Sequence, residues 1–65
     1  MGHHPSIQHL LKFFTYSHLP ERLQAMSKPF CELAHHVADN AEGQEATVAL
    51  RKLLESKDAA VRAAL

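Results

Sequence analysis

Apolar residues repeat at helical spacing along three segments of the chain. The clearest stripe advances in steps of four, three, four, three and four through Leu19, Leu23, Met26, Phe30, Leu33 and Val37. A stripe of this kind forms one face of an amphipathic helix and packs against another helix. The pattern therefore predicts a helix over about residues 19–39, with Pro20 in its first turn and Ser17 or His18 near its cap.

Pro29 lies inside this predicted helix. Proline lacks a backbone donor and clashes with the carbonyl group four residues earlier, here that of Ala25. Because the apolar stripe keeps its phase on both sides of Pro29, a kink is favoured over a break recapped by Ser27.

The other two helices are predicted on either side of this segment. The third covers about residues 45–64, and its stripe comprises Ala46, Leu50, Leu53, Leu54, Lys57, Ala60, Val61 and Ala64. The turn formers Asp39, Asn40 and Gly43 precede it. A short first helix over about residues 6–15 is predicted from Ile7, Leu10, Leu11 and Phe14. Residues 1–5 are expected to be flexible.

The predicted fold is one all-α domain over residues 1–65, an antiparallel two-helix hairpin preceded by a short N-terminal helix. A chain of 65 residues buries only about 60% of its unfolded surface and is marginally stable alone. Cys31 is the single cysteine, so no internal disulfide can add stability. Two helices and a short third leave an apolar face open, and we expect the chain to assemble as an oligomer.

Charge, hydropathy and motifs exclude several classes of function. Seven basic and seven acidic residues give a formal net charge of zero, which argues against a nucleic-acid polymer as partner. No apolar run approaches the roughly 18 residues of a membrane span, and the N-terminus lacks a secretory leader, so a cytoplasmic protein is expected. The chain has no nucleophile elbow, phosphate-cradling glycine loop or paired catalytic carboxylates, which predicts no enzymatic activity and no cofactor.

Lys57 occupies a position in the apolar stripe that normally holds an apolar residue. One interpretation is that its stem lies along the apolar surface while the amine reaches water. The other is that Lys57 is a cation at the edge of a subunit interface, facing a phosphate or a carboxylate from a partner chain.

A second stripe of the third helix is charged and comprises Arg51, Glu55, Asp58 and Arg62. Asp58 precedes Arg62 in the favourable order for a pair four residues apart. The stripe is therefore either a solvated, self-paired face or a face that leaves one arginine free to bind phosphate or stack on a base.

Aromatic and histidine residues are further candidates. Tyr16, with Phe13 and Phe14, lies at the junction of the first two helices, where it either fills the core or stacks on a nucleobase. The residues with metal-ligand chemistry are Cys31, Glu32, His35 and His36. Cys31 and His35 are one helical turn apart, and Glu32 and His35 form a Glu-x-x-His motif. Carboxylate-bridged sites need a second such motif, so no metal site is predicted. His3 and His4 are interpreted as tail residues.

The segments HLPERLQAMSKPFCELA and TVALRKLLESKDAAVRAAL, within about residues 16–65, resemble a known family. They are similar to the phage anti-CBASS and anti-Thoeris nucleotide sponges that share a helical hairpin domain. The resemblance implies a small helical homo-oligomer, often a hexamer, with pockets between protomers. It implies binding of cyclic dinucleotides, cyclic trinucleotides or cyclic ADP-ribose isomers, without cleavage, in the cytoplasm of an infected bacterial host.

The resemblance also implies ligand-binding residues. The family uses a tyrosine near the start of the hairpin, which Tyr16 matches by position, and arginines of the final helix, for which Arg51 and Arg62 are counterparts. Lys57 is a candidate by chemistry alone. Anti-CBASS members place a phosphate-binding lysine where this chain has Phe30 or Cys31, and the nearest candidate is Lys28. A protein-interaction or inhibitor module and a metal-binding helical bundle stay open as alternatives.

Overall fold

The computed structural model describes residues 4–65, which form three α-helices. The helices are α1 (Pro5–Lys12), α2 (Glu21–Asn40) and α3 (Gln44–Ala64). The all-α fold class is confirmed. The first helix ends at Lys12 rather than near residue 15, and the second begins at Glu21 rather than near residue 19.

The start of α1 is fixed by His4 and Pro5. The His4 Nδ1 atom accepts a hydrogen bond from the Ser6 backbone N–H at 3.2 Å, so His4 caps the helix instead of belonging to a tail. Pro5 suits the first helical position because the donor that it lacks would have no partner there. Of the residues expected to be flexible, residues 1–3, including His3, lie outside the described part of the chain.

The connection between α1 and α2 is anchored at both of its ends. Phe14 is completely buried, and the Gln24 side-chain amide donates hydrogen bonds to the carbonyl groups of Leu19 at 2.8 Å and Ser17 at 3.3 Å. Pro20 is itself the N-cap of α2, and no side chain of residues 4–65 forms a capping hydrogen bond there. Ser17 and His18, expected near the cap, precede it by three and two residues.

The second helix continues through Pro29 to Asn40 without a break. The carbonyl of Ala25 loses its helical donor to the proline, but Ala25 is exposed, so water can hydrate this group. The prediction that Pro29 does not break the helix is confirmed, and the kink at this residue stays a prediction.

The buried face of α2 is built mainly from small residues. It comprises Leu23, Ser27, Ala34 and Ala38. Met26 and Leu33 remain 40% and 48% exposed, so the prediction that their stripe as a whole faces the partner helix is wrong. Small side chains on the contact face let the two helices approach closely, and this rotates the larger side chains to the flank of α2.

The third helix uses the face that its stripe predicted. Ala46 and Leu50 are buried, and the other stripe residues, Lys57 included, are partly buried. Arg22, in the first turn of α2, donates from Nη1 to the Ala64 carbonyl oxygen at 2.6 Å, which shows that α2 and α3 are antiparallel. This bond also places a cation at the negative end of the α3 dipole.

A three-residue turn, residues 41–43, joins α2 to α3, and Gly43 determines its shape. Gly43 is the N-cap of α3 with φ 81° and ψ −168°, a combination that is essentially restricted to glycine. Open space surrounds the position of a Cβ atom at this residue. The constraint on Gly43 is therefore one of backbone conformation and not of packing.

We expect Gly43→Ala to lower the free energy of unfolding by about 1–3 kcal/mol, because alanine must adopt a strained backbone conformation there. Urea unfolding followed by circular dichroism measures the change. The neighbouring exposed residue Glu42 provides the control, since Glu42→Ala should alter stability by less than about 0.5 kcal/mol. Equal stability of the two variants would show that the turn relaxes to accept a side chain.

Candidate anion-binding site

A pocket of about 400 Å³ lies where the connection after α1 meets the C-terminal half of α3. Its lining residues are Lys12, Phe13, Thr15, His18, Leu19, Lys57, Asp58, Val61 and Arg62. Residues between Lys12, the last of α1, and Leu19 thus form one wall of the pocket. The other wall is a single face of α3 over about one and a half turns.

The pocket is positively charged although the chain as a whole has a formal net charge of zero. Lys12, Lys57 and Arg62 contribute three positive charges, and Asp58 contributes one negative charge, which leaves +2 with His18 neutral. Local excess charge of one sign in a concave surface concentrates ions of the opposite sign. The pocket is therefore suited to an anion.

Lys57 reaches the pocket from the apolar stripe. Its side chain is 13% exposed, and its Nζ atom lies 2.8 Å from Oδ1 of Asp58, whose side chain is 47% exposed. The stem thus packs along the core, as the first interpretation required, while the amine is held at the pocket wall. A lysine ammonium group in this position can donate charge-assisted hydrogen bonds to an anion in the pocket.

Arg62 is exposed at the other side of the same wall. The predicted Asp58–Arg62 pair is not formed, because Asp58 pairs with Lys57 instead. Among residues 4–65, no carboxylate forms an ion pair with the Arg62 guanidinium group. Its planar array of donors is therefore open to a ligand, and such an array binds phosphate oxygens in a bidentate manner.

Three of the five predicted ligand-binding residues lie outside this pocket of the single chain. Tyr16 is half-buried, and its carbonyl accepts a hydrogen bond from the Leu19 N–H at 3.0 Å. Arg51 shares a helical face with Arg62 but precedes it by eleven residues, or about 16 Å along the axis. Lys28 is exposed on α2. The structure therefore brings together Lys57 and Arg62 alone of this set.

Sequence reasoning missed Lys12, Phe13, Thr15 and His18 as pocket residues. Lys12 is the only lysine or arginine of α1 and occupies its last turn. A cation in the last turn interacts favourably with the helix dipole, so the sequence position of Lys12 is explained by helix stability alone. What identifies it as a pocket residue is the docking of α1 against α3, which no local pattern encodes.

The residues with metal-ligand chemistry do not form a centre in the described part of the chain. Within residues 4–65, no three side chains among histidine, cysteine, aspartate and glutamate are grouped closely enough to hold a metal ion. Burial raises the pKa of the Cys31 thiol, and the negative charge of Glu32 raises it further. The thiol therefore stays protonated at neutral pH, the form that is a poor nucleophile and metal ligand.

We expect the native Cys31 thiol to react more slowly with an uncharged disulfide reagent at pH 7.5 than the urea-unfolded chain does. Glu32→Gln should raise the native rate, because loss of the carboxylate lowers the thiol pKa. The absorbance of the released thione measures both rates. Glu45→Gln, a change at an exposed residue of another helix, is the matched control. An unchanged rate in Glu32→Gln would contradict the electrostatic effect.

Comparison with known proteins does not test the predicted family resemblance. No family model matches the chain, and neither a curated protein nor a solved structure is significantly similar to it. Within residues 4–65, none of the three helices combines the length and the apolar character needed to cross a membrane.

Proposed function

We propose that this protein binds cyclic oligonucleotide or cyclic ADP-ribose immune signals and sequesters them without cleaving them. It then acts as a phage or prophage anti-defence protein in the cytoplasm of the infected bacterial host. The observation that carries the proposal is the positively charged pocket formed by Lys12, Lys57 and Arg62. Every ligand of this class carries phosphate groups, which such a pocket attracts.

The proposed mechanism is mass action. Arg62 offers a bidentate contact to a phosphate, and Lys57 offers a compact charge that its partly buried stem holds in place. A ligand phosphate that approaches Lys57 competes with Asp58 for the amine, and Asp58 is exposed enough to turn into water. Bound signal is withdrawn from its effector, and the free concentration falls below the level at which the effector responds.

We further propose that the protein acts as a homo-oligomer, with a hexamer as the expected form. The support is an apolar flank on α2, defined as Met26, Phe30, Leu33 and Val37. Met26 and Leu33 are exposed, and Phe30 and Val37 are half-buried, with part of their surface packed against the core. Their spacing of four, three and four is typical of a seam between helices. Assembly through this flank would cover it. A hexamer also has contacts beyond this flank, through which Lys28, Arg51 or Tyr16 of another protomer would approach a bound ligand.

The same flank favours a second candidate function, that of an interaction or inhibitor module. An amphipathic helix with exposed Met and Leu residues can dock on a partner of another sequence as well as on its own copy. The two functions differ in the role of the pocket, because an interaction module does not require Arg62 to contact a nucleotide. A metal-binding bundle receives no support from the described residues.

We expect the protein to sediment as an oligomer at micromolar concentration, well above its chain mass of 7.3 kDa. Leu33→Lys should dissociate it, because a charge in the apolar flank loses hydration when the interface closes. Val48→Lys is the control, since Val48 is 45% exposed but lies outside the flank. A stable folded monomer of the parent in sedimentation velocity would overturn the assembly proposal.

We expect cyclic nucleotides to stabilise the protein against heating. The panel comprises cyclic di-AMP, cyclic GMP–AMP, cyclic tri-AMP and a cyclic ADP-ribose isomer. A member present at 100 times its dissociation constant adds about 2.7 kcal/mol to the free energy of unfolding. Arg62→Ala and Lys57→Met should each weaken that binding by about 2 kcal/mol. Arg62→Ala should change the free energy of unfolding by less than this amount.

Lys52→Ala is the matched control, because Lys52 is exposed on α3 and pairs with the exposed Glu55 at 3.8 Å. Denaturation of the complex should return the same nucleotide, and recovery of a linear product would reveal catalysis. If no panel member raises the melting temperature, the sequestration proposal fails. If parent and both pocket variants bind equally well, the pocket is not the site.

A further inference from the structure

Two adjacent phenylalanines have opposite environments at the end of α1. Phe14 is completely buried in the core, whereas Phe13 is 50% exposed and lines the pocket. The exposed part of a phenylalanine ring contributes no buried apolar area, and the core of this chain is small. The exposed half of the Phe13 ring is therefore available to a ligand in the pocket.

The ring of Phe13 is oriented by a neighbour and is open on the pocket side. His9, one turn earlier on α1, contacts it in a T-shaped arrangement with a centroid distance of 5.2 Å and an interplanar angle of 86°. Aromatic pairs prefer this geometry, which limits how the ring can rotate. A restrained, half-exposed aromatic ring beside a group of cations presents a flat apolar surface next to a phosphate-binding surface.

This combination matches the chemistry of a nucleotide, which carries a flat base at one end and a phosphate at the other. Base stacking on an aromatic side chain needs an accessible ring, and it tolerates any base because each base has a π-face. The volume of about 400 Å³ lies at the lower end of the range of about 300–1,000 Å³ for small-molecule pockets. That volume suits a single nucleotide unit better than a whole cyclic dinucleotide.

We infer that Phe13 is the stacking surface for one base of the bound signal, while Lys12, Lys57 and Arg62 bind the phosphate attached to that same nucleotide. This inference rests on the proposed function and adds the residue that recognises the base. It assigns the stacking role within a single chain to Phe13 rather than to Tyr16, which does not line the pocket. The remaining nucleotide of a cyclic ligand then extends beyond the pocket.

The inference is tested with Phe13→Leu and Phe13→Trp in the full chain. The probe is the panel member that binds the parent most tightly, together with its analogue in which 2-aminopurine replaces one adenine. Phe13→Leu should weaken binding by about five- to 150-fold, the range for loss of one stacked base, whereas Phe13→Trp should bind at least as tightly as the parent. Aminopurine fluorescence should be quenched by the parent and Phe13→Trp, and much less by Phe13→Leu.

Two controls separate stacking from general effects. Val48→Ala changes a side chain of similar exposure at the far end of α3 and should leave affinity and quenching unchanged. Inorganic pyrophosphate, which has no base, should bind Phe13→Leu as well as it binds the parent, and unchanged melting temperatures show that all variants are folded.

The outcomes distinguish this inference from the proposed function. If the parent binds a panel member but Phe13→Leu binds it equally well and quenches equally, sequestration stands and the role of Phe13 is overturned. Equal weakening of pyrophosphate binding in Phe13→Leu would also overturn it, because the ring would then be shaping the pocket instead of stacking on a base. If the parent binds no panel member, both proposals fail.

Discussion

The burial of Phe14 is the interaction on which the geometry of the pocket depends. Its ring is completely enclosed among the apolar residues of all three helices, and burial of a phenylalanine contributes about 1.5–3 kcal/mol. Lys12, Phe13 and Thr15 flank it in sequence and line the pocket. A short α1 of eight residues has little stability of its own, so the anchoring of Phe14 holds these flanking residues against α3.

The charges of the pocket favour the binding of an anion. Lys12, Lys57 and Arg62 line it together, and Asp58, which is paired with Lys57, balances one of these three charges. In the proposed function, a bound anion would offset the positive charge that remains. The proposed function thus gives a reason for a lysine in the apolar stripe of α3. A leucine at residue 57 would pack better but would remove one of the charges that attract a ligand.

Sequence periodicity predicted the elements of this fold well because helices are local structures. The stripe of α3, including Lys57, is the packed face, and the phase of the apolar residues across Pro29 correctly indicated a continuous α2. The buried face of α2 was predicted less well, because a pattern of large residues pointed to Met26 and Leu33. The contact instead passes through small residues such as Ala34 and Ser27, whose buried hydroxyl has no hydrogen-bond partner among residues 4–65. Phe13 and Lys12 could not be assigned to the pocket, because their position follows from tertiary docking and not from spacing.

In the proposed function, binding and assembly use two different surfaces of the hairpin. Successive residues of an α-helix turn by about 100° around its axis, and forward here means the direction of this turn from the N-terminus. Asp58, Val61 and Arg62 are turned forward from the contact face of α3. The apolar flank is turned in the opposite direction from the contact face of α2. In an antiparallel pair, forward-rotated residues of both helices lie on the same side, so the apolar flank lies on the side away from the pocket. A copy of the chain could then cover the flank without blocking the charged pocket. If the chain assembles and binds a ligand as proposed, one surface serves stability and the other serves the ligand, so separate mutations can test the two proposals.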